Sequence, residues 1–205
     1  VVKQIRRAAG GLKTGHAGTL DPFAEGLLIV GIGRAATRRL GDYMKLEKEY
    51  FAAVAWGAAT DTGDPTGKIV AEAYEATPGE GQIIEALRRF QGVVEQTPPA
   101  YSAVKVGGVR LYKAARRGER VEAKPRPVEI RELELVNRDD QGFEFRVVCS
   151  HGTYVRTLAE DLAQALGGYA HLKRLIRTRI GEFHLEDAES LEGVVERLTA
   201  GGKRS

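Results

Sequence analysis

At 205 residues the chain is long enough for one sizeable core, or a core domain with a subdomain, and its 42% hydrophobic and 29% charged residues are ordinary for a globular protein. No apolar run reaches the roughly 20 residues that a bilayer span needs, and the opening VVKQIRRAAG lacks the apolar centre of a signal peptide, so a cytoplasmic protein is expected. One cysteine cannot form an internal disulfide, and four histidines without ligand spacing argue against a metal site.

Residues 2–8 predict a helix. The loop GHAGTLDPFAEG, Gly15–Gly26, follows; its glycines and Asp-Pro pair mark a tight, sterically open turn that holds one carboxylate, Asp21, against the core. LLIVGIG, 27–33, predicts a buried strand and 35–44 a helix. Gly31-x-Gly33-x-x-Ala36 imitates a dinucleotide fingerprint, but the nearest acids, Glu47 and Glu49, open the next strand instead of closing it. It therefore reads as a strand-to-helix turn.

KEYFAAVAWG, 48–57, and KIVAEAYE, 68–75, predict strands on either side of TDTGDPTG. TGDPTGK is one residue short of a phosphate-binding loop and places Ile69 where a hydroxyl is required. Thr77-Pro78-Gly79-Glu80 predicts a helix start capped by Thr77, with Ile83, Ile84, Leu87 and Phe90 on one face. QTPPAYSAVKVGGVRLYKAARRGER then predicts a basic, weakly apolar and mobile segment with a turn of helix around Leu111, Ala114 and Ala115, ending at Gly118. Strands are expected at 126–136 and 143–149, where Cys149 shares a face with Phe143, Phe145 and Val147 and reads as a buried structural thiol. Tyr154 to Leu166 predicts a helix stopped by Gly167-Gly168, and Ser190 caps a last helix bearing Leu191, Val194, Val195 and Leu198. Helices and strands intermix without a βαβ rhythm, so the expected class is α+β: a mixed, largely antiparallel sheet with flanking helices.

The net charge is only +3, but basic residues gather at Lys3, Arg6, Arg7 and Lys13, across 105–126, and at Lys173, Arg174, Arg177 and Arg179. Such clusters suggest a polyanion-binding face; taken singly, each is also compatible with a solvated helix face.

An aspartate in a glycine-rich loop serves as a nucleophile, as a general acid or base, or simply as a turn-maker. GHAGTLDP, followed by KEYF, TPPAYSAVKVGGVRLY, HGTYVRTL and AHLKRLIRTRIGEF, resembles the bacterial tRNA pseudouridine-55 synthases, the TruB family, in the same order from residue 1 to about residue 190. The resemblance implies a pseudouridine synthase fold with a mobile thumb insertion over about 97–127, in a catalytic domain spanning 1–190. It also implies isomerisation of a T-loop uridine of tRNA, with no cofactor and no metal. Asp21 matches the catalytic aspartate, Tyr50 the tyrosine that packs on the target base, and Arg156 the arginine that pairs with the aspartate, with Tyr154 beside it. Leu172 matches an apolar wall of the pocket, whose plainer reading is a leucine of an amphipathic helix. His16 matches the residue entering the space the base vacates, whose plainer reading is a loop histidine. Lys105 and its basic neighbours, with Val104 and Leu111, would grip the T-stem-loop.

Against the family pattern, the first strand is missing and residues 191–205 give a helix and tail without a PUA-type domain. The partner expected is tRNA alone, met by a monomer. The rival expectation is a non-catalytic tRNA-binding or folding module on the same fold.

Chemistry supports these roles independently. A carboxylate that works at neutral pH while partly buried needs a fixed cation, and a guanidinium supplies paired hydrogen bonds without losing its proton. Arg156 is the candidate.

Overall fold

The computed structural model describes residues 1–201 apart from residues 74, 75, 103, 116, 118, 120 and 122 and the side chain of Arg110. Helix α1 (Val2–Ala8) leads into strands β1 (Thr14–His16), β2 (Glu25–Gly26) and β3 (Val30–Ile32), then α2 (Gly33–Met44). There follow β4 (Lys48–Trp56), β5 (Ala58–Thr60), β6 (Ile69–Glu72), α3 (Glu80–Arg89) and β7 (Gly92–Gln96). The hairpin β8 (Lys105–Val106) and β9 (Val109–Arg110) precedes α4 (Leu111–Ala115), β10 (Arg126–Asp139) and β11 (Gly142–Cys149). The chain continues through α5 (Val155–Ala165), β12 (Ala170–Ile180), β13 (Phe183–His184), a 3-10 turn (Leu185–Asp187) and α6 (Leu191–Gly201).

The architecture is α+β, as expected. A seven-stranded sheet runs β13-β12-β4-β11-β10-β7 with antiparallel neighbours, and β2 adds a parallel pairing to β12. The alternation in FEFRVVC decides which way the sheet faces. Phe143, Phe145, Val147 and Cys149 join Ala52, Val54 and Ile130 in one core with Ile83 and Leu87 of α3 and Leu158 and Leu162 of α5. Arg146 points the other way and pairs with Glu49 at 2.7 Å and Glu132 at 2.6 Å, so the opposite face is solvated and charged. Cys149 is buried, and burial pushes its thiol up to about 11, which suits an inert structural role.

Three local expectations are corrected. The run 27–33 is not one strand: Gly26 pairs with Arg177 of β12, whereas Val30–Ile32 pairs with β1, so the chain changes sheets within the apolar run. Helix α3 starts at Glu80 with Gly79 as its cap, and the Gly79 N–H donates to Gln82 Oε1 at 2.9 Å. Thr77 is instead buried, its carbonyl accepting from Arg138 Nη2 at 2.8 Å. Residues 170–180 form a long strand, which excludes the amphipathic-helix reading of Leu172.

The GIGRAA turn is as read, with Ile32 extended and α2 beginning at Gly33. In the insertion, Leu111 and Ala114 are buried, and Leu111 N–H donates to the Val104 carbonyl at 2.8 Å. The expected end of that helix at Gly118, and the basic residues Arg116 and Arg120, lie outside the described residues. Ser190 caps α6 as expected, its Oγ accepting from Gly193 N–H at 3.1 Å.

Candidate active site

The loop between β1 and β2 carries Asp21 toward the first turn of α5. That turn is aimed by Tyr154, whose N–H donates to Gln96 Oε1 at 3.0 Å and whose carbonyl accepts from Gln96 Nε2 at 3.3 Å. Arg156 consequently enters the protein and is only 3% exposed. A buried guanidinium must find acceptors for its donors, because water cannot supply them. Its Nε donates to Asp21 Oδ2 at 2.8 Å, Nη1 to the Thr62 carbonyl at 2.6 Å and Nη2 to the Tyr101 carbonyl at 3.0 Å. Asp64 Oδ2 stands 3.8 Å from Nη1. Three separate stretches of chain thus meet on one side chain.

The Asp21 side chain keeps 32% of its surface exposed, so one edge of the carboxylate is fixed and another faces outward. Burial pushes its pKa above the ordinary aspartate value; the charge and hydrogen bond of Arg156 oppose that rise, and nearby Asp64 adds to it. Asp64 belongs to the turn that imitated a phosphate loop. Its Oδ1 accepts from Thr62 Oγ1 at 2.8 Å and Thr66 N–H at 2.9 Å, which closes the turn and holds the Thr62 carbonyl against Arg156. Glu160 lies one turn beyond Arg156 on α5. Burial pushes it up to about 7, opposed by Arg156 and reinforced by Asp161 and Asp64.

Tyr50 is half-buried on β4, its ring against the core. The register pairs Tyr50 with Arg177, Ala52 with Leu175 and Val54 with Leu172. The Tyr50 hydroxyl is raised by burial and lowered by a charge and hydrogen bond from Arg177, and it also feels Asp21. Leu172 is fully enclosed two pairs away, its N–H donating to the Gly63 carbonyl at 3.0 Å; Leu175 is the leucine adjacent to the Tyr50–Arg177 pair.

The structure therefore brings Asp21, Tyr50 and Arg156 into one neighbourhood. His16 ends β1, five residues ahead of Asp21, with its Nδ1 buried and unpartnered among the described residues. The Tyr154 ring lies under the Arg126 guanidinium, 5.4 Å from its centroid, and Lys105 stands exposed on the β8–β9 hairpin. Leu111, expected to grip RNA, is buried in this state.

Sequence reasoning missed Asp64, Glu160 and Leu175, and placed Arg177 only among the polyanion-binding cations. It also overcounted the basic cluster at 173–179. Arg177 is buried, Arg179 is bound to Glu47 at 2.8 Å and Arg174 to Glu25 at 3.4 Å, leaving Lys173 without an acidic partner among the described residues. Among the described residues, no group of three or more His, Cys, Asp and Glu side chains is placed to hold a metal ion. What the site presents is an anchored, partly accessible carboxylate beside an aromatic ring, a pairing suited to nucleophilic or general-base chemistry on a flat ligand.

Comparison with known proteins points the same way. Residues 6–155 match the family model described as TruB family pseudouridylate synthase (N terminal domain). The chain is 47% identical over 195 residues to a protein named tRNA pseudouridine synthase B from Bordetella avium (strain 197N), covering 94% of this chain and 80% of that one. A protein of the same name from Symbiobacterium thermophilum is 47% identical over 215 residues, covering all of this chain and 68% of its own. Among solved structures, a chain of a Cbf5-Nop10-Gar1 complex superposes with a TM-score of 0.71 at 27% identity, covering 95% of this chain. The present chain spans about half of that protein's length, 49%.

Proposed function

The chain belongs to the TruB family of pseudouridylate synthases, isomerases that make pseudouridine in tRNA, and from that premise we propose that it acts on the T-loop uridine at position 55, with Asp21 as its catalytic group. The reaction breaks the N1–C1′ glycosidic bond, rotates the uracil and joins C5 to C1′; C5 loses its proton and N1 gains one. Attack by a carboxylate on C1′ and removal of a proton from C2′ both require that carboxylate to be ionised. The 2.8 Å contact between Asp21 and the buried Arg156 is the observation that carries the reading.

Reaching the base requires flipping it from the loop, which costs a few kcal/mol of unstacking. In this reading Tyr50 stacks on the flipped uracil and His16 occupies the space it leaves. Leu175 forms the apolar wall, in place of the enclosed Leu172. Lys105 and the 97–127 insertion, fastened at its base through Tyr101 to Arg156, close on the T-stem-loop backbone. The protein works as a cytoplasmic monomer that needs no cofactor.

T-loop RNA carrying tritium at C5 of the target uridine tests the reading. The wild type is expected to release tritium, and Asp21→Asn to bind the RNA and release none. Full release by Asp21→Asn would remove Asp21 from the chemistry, and binding without release by the wild type would establish a non-catalytic RNA-binding module instead.

A further inference from the structure

Arg177 is 1% exposed, yet no carboxylate lies within ion-pair distance of it among the described residues. A second cation, Lys48, is close enough for the two charges to oppose each other. Leaving a charge buried without a counter-ion is among the costlier arrangements in a protein, and an apolar side chain of similar size would avoid it. The donors of Arg177 show what it does there. Nε donates to the Leu27 carbonyl at 2.8 Å and Nη2 to the Gly18 carbonyl at 3.3 Å, and Arg177 is the cross-strand partner of Tyr50 in the β4–β12 register, where its positive charge favours the ionised form of the Tyr50 hydroxyl.

Gly18 and Leu27 are the two ends of the loop that carries Asp21. The backbone completes the clasp: Leu27 N–H donates to the Arg177 carbonyl at 2.8 Å. A Cβ on Gly26 would fall 2.4 Å from that carbonyl oxygen, and one on Gly18 would stand 3.6 Å from Nη1. The loop therefore needs glycine at 26 to lie against the β12 backbone, and Gly18 lies in ordinary contact with the guanidinium.

We propose that Arg177 is a positioning residue that holds the Tyr50 hydroxyl and both ends of the Asp21 loop in one fixed relation, so that the ring and the carboxylate are presented together. It touches no reacting atom and acts through the groups it orients. The proposal rests on the pseudouridine synthase reading. Misplacing reacting groups by about 1 Å costs on the order of 100-fold in rate. Lysine keeps the charge but cannot reach both loop carbonyls beside Tyr50 with a fixed fork.

The test is a cycle of Arg177→Lys, Tyr50→Phe and the double variant, each checked for a native melting transition, with kcat and KM measured by tritium release. Arg177→Lys is expected to lower kcat about 100-fold while KM for the RNA stays within about threefold. The double variant is expected to be no more than about threefold slower than the slower single variant, because both changes break the same link. Three results overturn the proposal: an Arg177→Lys kcat within about threefold of wild type, a loss confined to KM, or single effects that multiply in the double variant. If Arg177→Lys does not fold, Arg177→Gln replaces it in the cycle; failure of both to fold assigns Arg177 to stability alone and likewise overturns it. An inactive wild type would refute the pseudouridine synthase reading; an active wild type with an unaffected Arg177→Lys would refute only this inference.

Discussion

Around Arg156 three carboxylates compete for one guanidinium, and they share it unequally. Asp21 has the direct 2.8 Å hydrogen bond, Asp64 stands at 3.8 Å, and Glu160 is packed beneath Gly63 with its carboxyl raised to about 7. Keeping Glu160 protonated spares the cluster a third negative charge. The effect on stability has a definite sign. In the unfolded chain Glu160 ionises near its ordinary value of 4.5, whereas in the fold it holds its proton to about 7. The folded state therefore binds more protons between those limits, and this group's contribution makes stability fall as pH rises across them, then level off above about 7. Glu160→Gln is expected to melt with the wild type at pH 4 and roughly 3 °C or more above it at pH 8, read by calorimetry. Equal melting temperatures at both pH values would show that Glu160 carries no burial penalty.

At the scale of elements, the position of the Asp21 loop depends on the two-residue β2 running parallel to β12. That pairing is possible only because Gly26, at φ +103°, lets the two backbones close together. Gly26→Ala combines a disfavoured backbone with a collision against the Arg177 peptide. It is expected to cost on the order of 1–3 kcal/mol and to lower tritium release with it. Gly41, in the interior of α2 with open space where a Cβ would go, is the contrasting position. Gly41→Ala should stabilise by roughly 0.5–1 kcal/mol and leave activity unchanged. Denaturant midpoints of the two variants give the comparison; a Gly26→Ala midpoint equal to wild type would show that the loop does not need this close approach.

Over the whole molecule, some cations are bound to carboxylates and others are not. On the solvated side of the sheet Arg131, Arg146 and Arg179 are each bound to glutamates, whereas Lys105, Lys113, Arg34 and Arg38 have no acidic partner among the described residues. Only unspent cations release counterions from RNA. The affinity for a T-stem-loop is expected to fall steeply with salt. Replacing Lys105 and Lys113 by alanine should reduce the log–log slope by about 1 to 2, whereas Arg179→Ala should leave it unchanged. An unaltered slope in the double lysine variant would place the RNA elsewhere. The sequence alone determined the α+β class and the face of β11, because those rest on element order and local periodicity, and its resemblance to the TruB family supplied the candidate trio Asp21, Tyr50 and Arg156. It did not reveal β12. Two register shifts, between Leu172 and Arg174 and between Arg177 and Arg179, break the two-residue alternation by which a strand is recognised. Only the tertiary structure decided which cations are spent, which leucine adjoins the ring, and that Arg177 spans the Asp21 loop. Those are consequences of strand pairing between segments some 150 residues apart, as Leu27 and Arg177 are, and no local pattern encodes them.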